Sequence, residues 1–426
     1  TDPLFAQYDR LQKRHMVHPW ADFNDLDTHH YPTYLTGVAR FTNGYKVFMP
    51  TEFMHAMYDQ GGGAGLRDFW DRWCTNPLFA GGFIWVYCDE APKRSDKGGI
   101  LDSDKSNAPD GVVGPRREKE GSYYAIRAQW SPIQLKPLLI TNHFDGRFLL
   151  TNEYTFTNLK DCRMTYKVLS CGTPLQGNAE AGKVIAEGKV QLPSINPGET
   201  GTARFELPDS FREGDVLELE AFDKEGKSIC NWTYPIHLAK QYFERNLAQT
   251  TLTPAPQKAE ARQTSDAIEL KSSKVSITFD AATGMIRHIK SGETEVPFKD
   301  GPVAIGMKMR YEPSLSYTRH SSDGAIYCAK YKGAADSIVW RLTNEGLLYM
   351  DAILLNRGSG GGGFDDAFMD AQVFNLGLSF SYPEQNCSGM KWMGRGPYRV
   401  WKNRIPGTNY GIWHKDYNNT ITGESF

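Results

Sequence analysis

The residues best suited to chemistry lie in Thr51-Glu52-Phe53-Met54-His55-Ala56-Met57, where a carboxylate ends an apolar strand and a histidine follows three positions later. A carboxylate so placed can act as a nucleophile. A second concentration of polar groups precedes it: His15, His18, Asp22, Asp25, Asp27, His29 and His30. None of these spacings is the His-x-x-x-His of a helical metal pair. On a strand only alternate residues share a face, so His29 and Tyr31 point one way and Thr28 and His30 the other. His30 is read as a polar lining residue of a pocket rather than as a metal ligand.

The elements that must position these groups are short. Tyr45 to Met49 is a β-forming apolar run that Pro50 should stop. After the glycines 61 to 63, Leu66, Phe69, Trp70 and Trp73 repeat at helical spacing. Gly81 to Tyr87 then reads as a second buried strand. The order is β, α, β, with the polar chemistry at the C-terminal ends of the strands, where (β/α) barrels carry their active sites.

These segments resemble glycoside hydrolase family 2, in particular its large β-galactosidase-like members. Glu52 to Met57 matches the Glu-aromatic-x-His-Ala-Met segment that ends barrel strand seven, and Gly81 to Trp85 matches the Gly-Gly-Phe-x-Trp of strand eight. Asp25-Leu26-Asp27-Thr28-His29-His30-Tyr31 matches strand six, and Trp392-Met393-Gly394-Arg395-Gly396-Pro397 is similar to the Trp-x-Gly-x-Gly-Pro signature of the C-terminal β-sandwich. Four matches in order are far more specific than a lone Glu-x-x-His.

The resemblance implies a retaining exo-β-glycosidase in which Glu52 forms a covalent glycosyl-enzyme and Tyr31 orients Glu52. It also implies that His55 binds sugar hydroxyls and that Trp85 is the platform under the sugar ring. Val86 departs from the pattern, since many relatives carry Asp directly after this Trp; the exact sugar preference is thereby left open. The family's acid/base Glu and divalent-metal ligands lie on strands for which no segment is found before Asp25. The expectation is therefore a chain that starts and stops within domains, carries only the nucleophile half of the site, holds no cofactor itself, and is inactive alone. Carbohydrate is the expected partner, with self-association or a complementing N-terminal segment to cover the missing strands. The alternatives are another family 2 enzyme, such as a β-glucuronidase or β-mannosidase, or a non-catalytic carbohydrate-binding module.

Bulk properties bound the rest. A formal charge of −2 and the lack of basic runs interleaved with aromatics argue against nucleic acid. No uninterrupted apolar stretch approaches the ~18 residues of a membrane span, so a soluble protein is expected, periplasmic or cytoplasmic. Seven cysteines without a Cys-x-x-Cys pair argue against a disulfide framework or structural zinc. The 10 Trp, 21 Tyr and 22 Phe suit stacking on sugars and β-sandwich cores equally well.

The fold class expected is multidomain and mainly β. Residues 1–130 are read as strands five to eight of a partial (β/α)8 TIM barrel, the segment 88–124 being an irregular functional loop. Period-two patterning from about Ser131 suggests an immunoglobulin-like β-sandwich over 131–245. A linker is expected over 246–265. Residues 266–426 are expected to form a large β-supersandwich domain, incomplete at its end, with Ser359 to Gly363 as a surface loop.

Overall fold

The computed structural model describes residues 2–9, 11, 17–18, 22–23, 26–35, 45–55, 62–102, 110–172, 182–249, 257–305, 309–333, 335–354, 377–400 and 404–418. Leu26–Asp27 lies parallel to Val47–Phe48, single parallel bridges join His30 to Glu52 and Phe48 to Phe79, and Phe53–His55 lies parallel to Ile84–Trp85. Three segments thus stand side by side in chain order.

Pro50 stands after the end of strand Val47–Phe48, as the sequence leads one to expect, and before a separate strand, Phe53–His55. It lacks an N–H, but Met49 and Thr51 donate to Asp27 and His29 on one side and Phe53 donates to Phe83 on the other, so the ladder loses one bond and resumes. Glu52 lies between the two strands, joined to His30 by an isolated parallel bridge.

Parallel neighbours need a crossover, and the helix Leu66–Trp73 supplies one between the second and third segments. Its buried Leu66 and Trp73 join Phe48, Phe53 and Ile126 in one core. The Trp73 ring lies 5.5 Å from Phe48 and 5.0 Å from Phe53, centroid to centroid. Such aromatic pairs each add about 0.5–1.5 kcal/mol beyond their burial.

The stretch 88–124, expected to be irregular, contains a two-stranded hairpin of Lys93–Arg94 with Ile100–Leu101 and the start of a helix, Gly121–Gln129. Residues 103–109 lie outside the described residues.

Seven antiparallel strands follow. Ile133–Leu135, Arg147–Asn152 and Thr200–Arg204 form one sheet; Arg163–Ser170, Lys183–Val190, Val216–Phe222 and Ser228–Pro235 form the other. Phe148, Leu150 and Ala203 of the first share a core with Met164, Val168, Leu217 and Leu219 of the second. The alternation that builds this core is explicit in Arg147–Asn152, where Phe148, Leu150 and Asn152 turn inward. The Asn152 amide is satisfied by donating to the carbonyls of Thr157 and Ile195.

The expected linker is shorter than 246–265. Helix Ala239–Gln249 runs into it, because its Ala, Lys, Gln, Glu and Leu favour helix and the prolines come only at 254 and 256. Strand Glu260–Gln263 leaves it early by pairing antiparallel with Ala267–Lys271. Residues 250–256 are outside the described set.

The chain divides into two units, Thr1–Gln249 with Gly389–Phe426, and Thr250–Ser388. The expected single domain over 266–426 is therefore split. In the second unit, five strands from Glu260–Gln263 to Thr294–Glu295 form one sheet in chain order, and four from Met309–Ser321 to Leu348–Leu354 form another. Ile268, Leu270, Ile277 and Phe279 meet Tyr327, Trp340 and Leu342 between them. Ser359 to Gly363 fall outside the described residues.

The hairpin Gly389–Gly396 with Asn409–Asp416 belongs to the first unit for identifiable reasons. The Tyr410 N–H donates to Thr233 Oγ1 at 2.6 Å, Arg404 Nε donates to Asp68 at 2.8 Å, and Tyr398 stacks on Tyr124 at 5.2 Å. Among the described residues no helix is long and apolar enough to cross a membrane.

Candidate functional site

Glu52 and Tyr31 meet at the ends of two adjacent parallel segments. The Tyr31 N–H donates to the Glu52 carbonyl at 2.8 Å, and the Tyr31 side chain is hydrogen-bonded to the Glu52 carboxylate. His30 Nε2 lies 3.5 Å from Glu52 Oε2, with 24% and 29% of the two side chains exposed, and the His30 and Tyr31 rings meet edge to face at 4.8 Å. The carboxylate thus has the Tyr31 hydroxyl as a donor and the His30 ring beside it, and still reaches solvent.

The backbone here is unusual. Tyr31 has φ +53° and Met54 φ +56°, a left-handed conformation that side chains other than glycine seldom adopt. Each costs on the order of 1 kcal/mol or more, and such residues gather at functional sites because the surroundings hold them there.

Burial, the hydrogen bond to Glu52, and the charges of Glu52 and Asp110 together hold the Tyr31 hydroxyl well above the usual range for a phenol. It keeps its proton at neutral pH and donates it toward Glu52.

Trp85 closes the third segment. Its backbone registers opposite His55; the His55 side chain lies outside the described set. The Trp85 indole N–H donates to Asp110 Oδ2 at 2.9 Å. A carboxylate partner for this tryptophan therefore exists, supplied from 25 residues along the chain rather than from the next position, where Val86 stands.

Asp110 is delivered by a segment laid along the strand end. Asp110 accepts from Val86 N–H at 3.3 Å through its carbonyl, and Val112 and Val113 donate to Val86 and Tyr87. Asp89 fastens the turn, its Oδ1 accepting the Gly111 N–H at 2.8 Å. Both acids are buried, Asp89 at 4% and Asp110 at 5% exposure. Burial pushes the Asp89 carboxyl up to about 6, with Asp110 and Glu118 adding repulsion against the opposing Gly111 bond.

Of the residues singled out in the sequence, Glu52, Tyr31 and His30 come together, Trp85 stands one segment away, and His55 is placed by its backbone alone. Asp89 and Asp110 were missed. The signal available was an Asp-Gly pair within a loop too long to be idle, which marks a turn but not its destination. Among the described residues no three His, Cys, Asp or Glu side chains gather so as to hold a metal.

A family model described as "Beta-galactosidase, domain 4" matches residues 148–232, inside the seven-stranded body. A β-galactosidase of Actinobacillus pleuropneumoniae is 25% identical over 195 residues, covering 42% of this chain and 19% of that protein. β-Galactosidase 2 of Enterobacter cloacae is 21% identical over 425 residues, covering 85% of this chain and 37% of that protein. The chain thus spans little more than a third of that relative and less of the other. Among solved structures, a β-D-mannosidase from Dictyoglomus thermophilum is matched at 12% identity over 69% of this chain and 29% of that one, with a TM-score of 0.19, too low for the folds to be argued to correspond.

Proposed function

We propose, for a chain that belongs to the β-galactosidase-like proteins of glycoside hydrolase family 2, that it carries the nucleophile side of a retaining exo-β-glycosidase acting on terminal β-galactosides. The observation that carries this reading is the Tyr31 hydroxyl on the Glu52 carboxylate, with His30 at 3.5 Å. A nucleophile must be ionised and aimed. A donor held in a strained backbone aims it, by fixing its rotamer.

In this mechanism Glu52 attacks the anomeric carbon, the leaving oxygen takes a proton from a second carboxyl about 5–5.5 Å away, and water then releases the sugar from the ester. The ordered parallel segments are read as part of a TIM barrel, and the antiparallel body that follows as an immunoglobulin-like sandwich. Trp85 is read as the platform under the ring, with His55 and His30 as polar lining. The proton donor and divalent-metal ligands are assigned to the remainder of a longer protein, a reading supported by the share of the relatives' length that this chain spans. The isolated chain is accordingly expected to be inactive.

The test uses the intact protein and a panel of nitrophenyl β-glycosides including galactoside, glucuronide and mannoside. Glu52→Gln keeps shape but forms no stable glycosyl ester, and should lower kcat roughly 10⁴-fold or more. An activated 2-deoxy-2-fluoro-galactoside should leave its adduct on the peptide containing Glu52. Turnover within tenfold of wild type, or an adduct on another residue, would remove Glu52 from the role.

A further inference from the structure

The pairing of Trp85 with Asp110 is built rather than incidental. The indole N–H meets a carboxylate 5% exposed, and a charge-assisted bond of this kind fixes the plane of a ring that would otherwise rotate about two side-chain torsions. Several backbone bonds hold the Asp110 segment against the strand end. Asp89 grips Gly111, and there is no room for a side chain at that glycine, since a Cβ there would lie 2.2 Å from Asp89 N and 2.3 Å from Cys88 C. The carboxylate is also close enough to act electrostatically on Tyr31.

We propose that Asp110 is a positioning residue, which holds the Trp85 indole at a fixed orientation beside the Glu52–Tyr31 pair and so sets how tightly the sugar ring is bound there. This rests on the glycosidase reading above. Asp110 acts through the indole, and Asp89 acts through Asp110. Removing the carboxylate frees the ring, so ground-state binding weakens more than chemistry does. Removing the indole N–H while keeping an aromatic ring has the same effect by another route.

The experiment is a double-mutant cycle in the intact protein, with KM and kcat measured on p-nitrophenyl β-D-galactoside for Asp110→Ala, Trp85→Phe and the pair. The same sugar's Kd is measured by calorimetry in a Glu52→Gln background. Asp110→Ala is expected to raise KM and Kd about tenfold with kcat changed less than threefold. Asp110→Asn, whose amide oxygen still accepts from the indole, should recover KM to within about threefold of wild type. In the Trp85→Phe background Asp110→Ala should add less than twofold. Full additivity of the two changes, or unaltered KM in Asp110→Ala, overturns the proposal. Should Asp110→Ala fail to fold, Trp85→Phe alone decides: unchanged KM and Kd overturn it. Retained turnover in Glu52→Gln is a separate outcome that overturns the nucleophile assignment, while the coupling in Kd is still read directly.

Discussion

Asp89→Asn isolates the cost of keeping an acid beneath the site. Asp89 is 4% exposed, its Oδ1 accepts the Gly111 N–H, and its Oδ2 is buried with no hydrogen-bond partner. Burial first, then the charges of Asp110 and Glu118, raise this carboxyl from 3.8 to about 6. A carboxyl that binds its proton more tightly when folded contributes full stability below about pH 3.8, and that contribution is lost as pH rises through about 6. At about 1.36 kcal/mol per pH unit, the gap amounts to on the order of 3 kcal/mol against the folded state once the group is ionised. Water around the exposed Glu118 screens part of the repulsion, leaving on the order of 2 kcal/mol. Asparagine keeps the acceptor for Gly111 and carries no charge at any pH. The variant should therefore melt several degrees above wild type at pH 8, the difference shrinking as pH falls from about 6 and vanishing below about pH 3.8, as read by calorimetry of the first unit's transition. A difference that does not vary with pH, or a wild type more stable at pH 8, would refute the reasoning, because it would mean that ionised Asp89 has a favourable partner.

Tyr31→Phe removes the hydroxyl from Glu52; a hydrogen bond to a charged group is worth about 1.5–3 kcal/mol, so kcat on nitrophenyl galactoside should fall roughly 10- to 100-fold. An unchanged kcat with intact circular dichroism would exclude Tyr31 from orienting the nucleophile. In the sandwich, Asp215 has 1% of its side chain exposed and is paired with Arg245 while accepting the Cys171 N–H at 2.6 Å. Arg245→Ala leaves that carboxylate buried without its cation and should cost about 3–5 kcal/mol, visible as a lower urea midpoint; a shift under 1 kcal/mol would show that water reaches Asp215.

What the sequence made legible was local. The helix with Leu66 and Trp73 and the alternation in Arg147–Asn152 each follow from a run of neighbouring residues whose spacing matches one geometry, whereas the expected buried strand Gly81–Tyr87 is only Ile84–Trp85, half-buried, with Phe83 and Tyr87 exposed. The meeting of Glu52 with Tyr31 was legible because parallel strand ends converge; that of His30 with both was not, because strand alternation would put His30 and Tyr31 on opposite faces and the left-handed φ of Tyr31 breaks that alternation. Asp110 was not, because its role depends on where an irregular segment folds back, and no spacing rule fixes a partner 25 residues away. Pro50 was legible as the stop of strand Val47–Phe48; that pairing begins again at Thr51 and Phe53 was not, because it depends on the acceptors His29 and Phe83 of neighbouring segments. The split of 266–426 was equally hidden, since Tyr410 docks on Thr233 through one hydroxyl that no composition shift announces.

The electrostatics around Tyr31 explain why a phenol suits this position better than a stronger acid. Two carboxylates, Glu52 and Asp110, act on it, and both charges and burial work against its ionisation. An ordinary phenol already keeps its proton to about pH 10, so under this field the hydroxyl remains a donor throughout the range in which Glu52 must be an anion. On the glycosidase reading proposed above, a neutral donor would fix the direction of the carboxylate while leaving most of its charge for the anomeric carbon. Asp110 then has two effects from one position, holding the indole by a hydrogen bond and adding its charge to the burial and the Glu52 carboxylate that already keep Tyr31 protonated. Asp110→Asn separates them, because it retains the first and removes the second: binding should survive while any alkaline limit set by Tyr31 moves to lower pH.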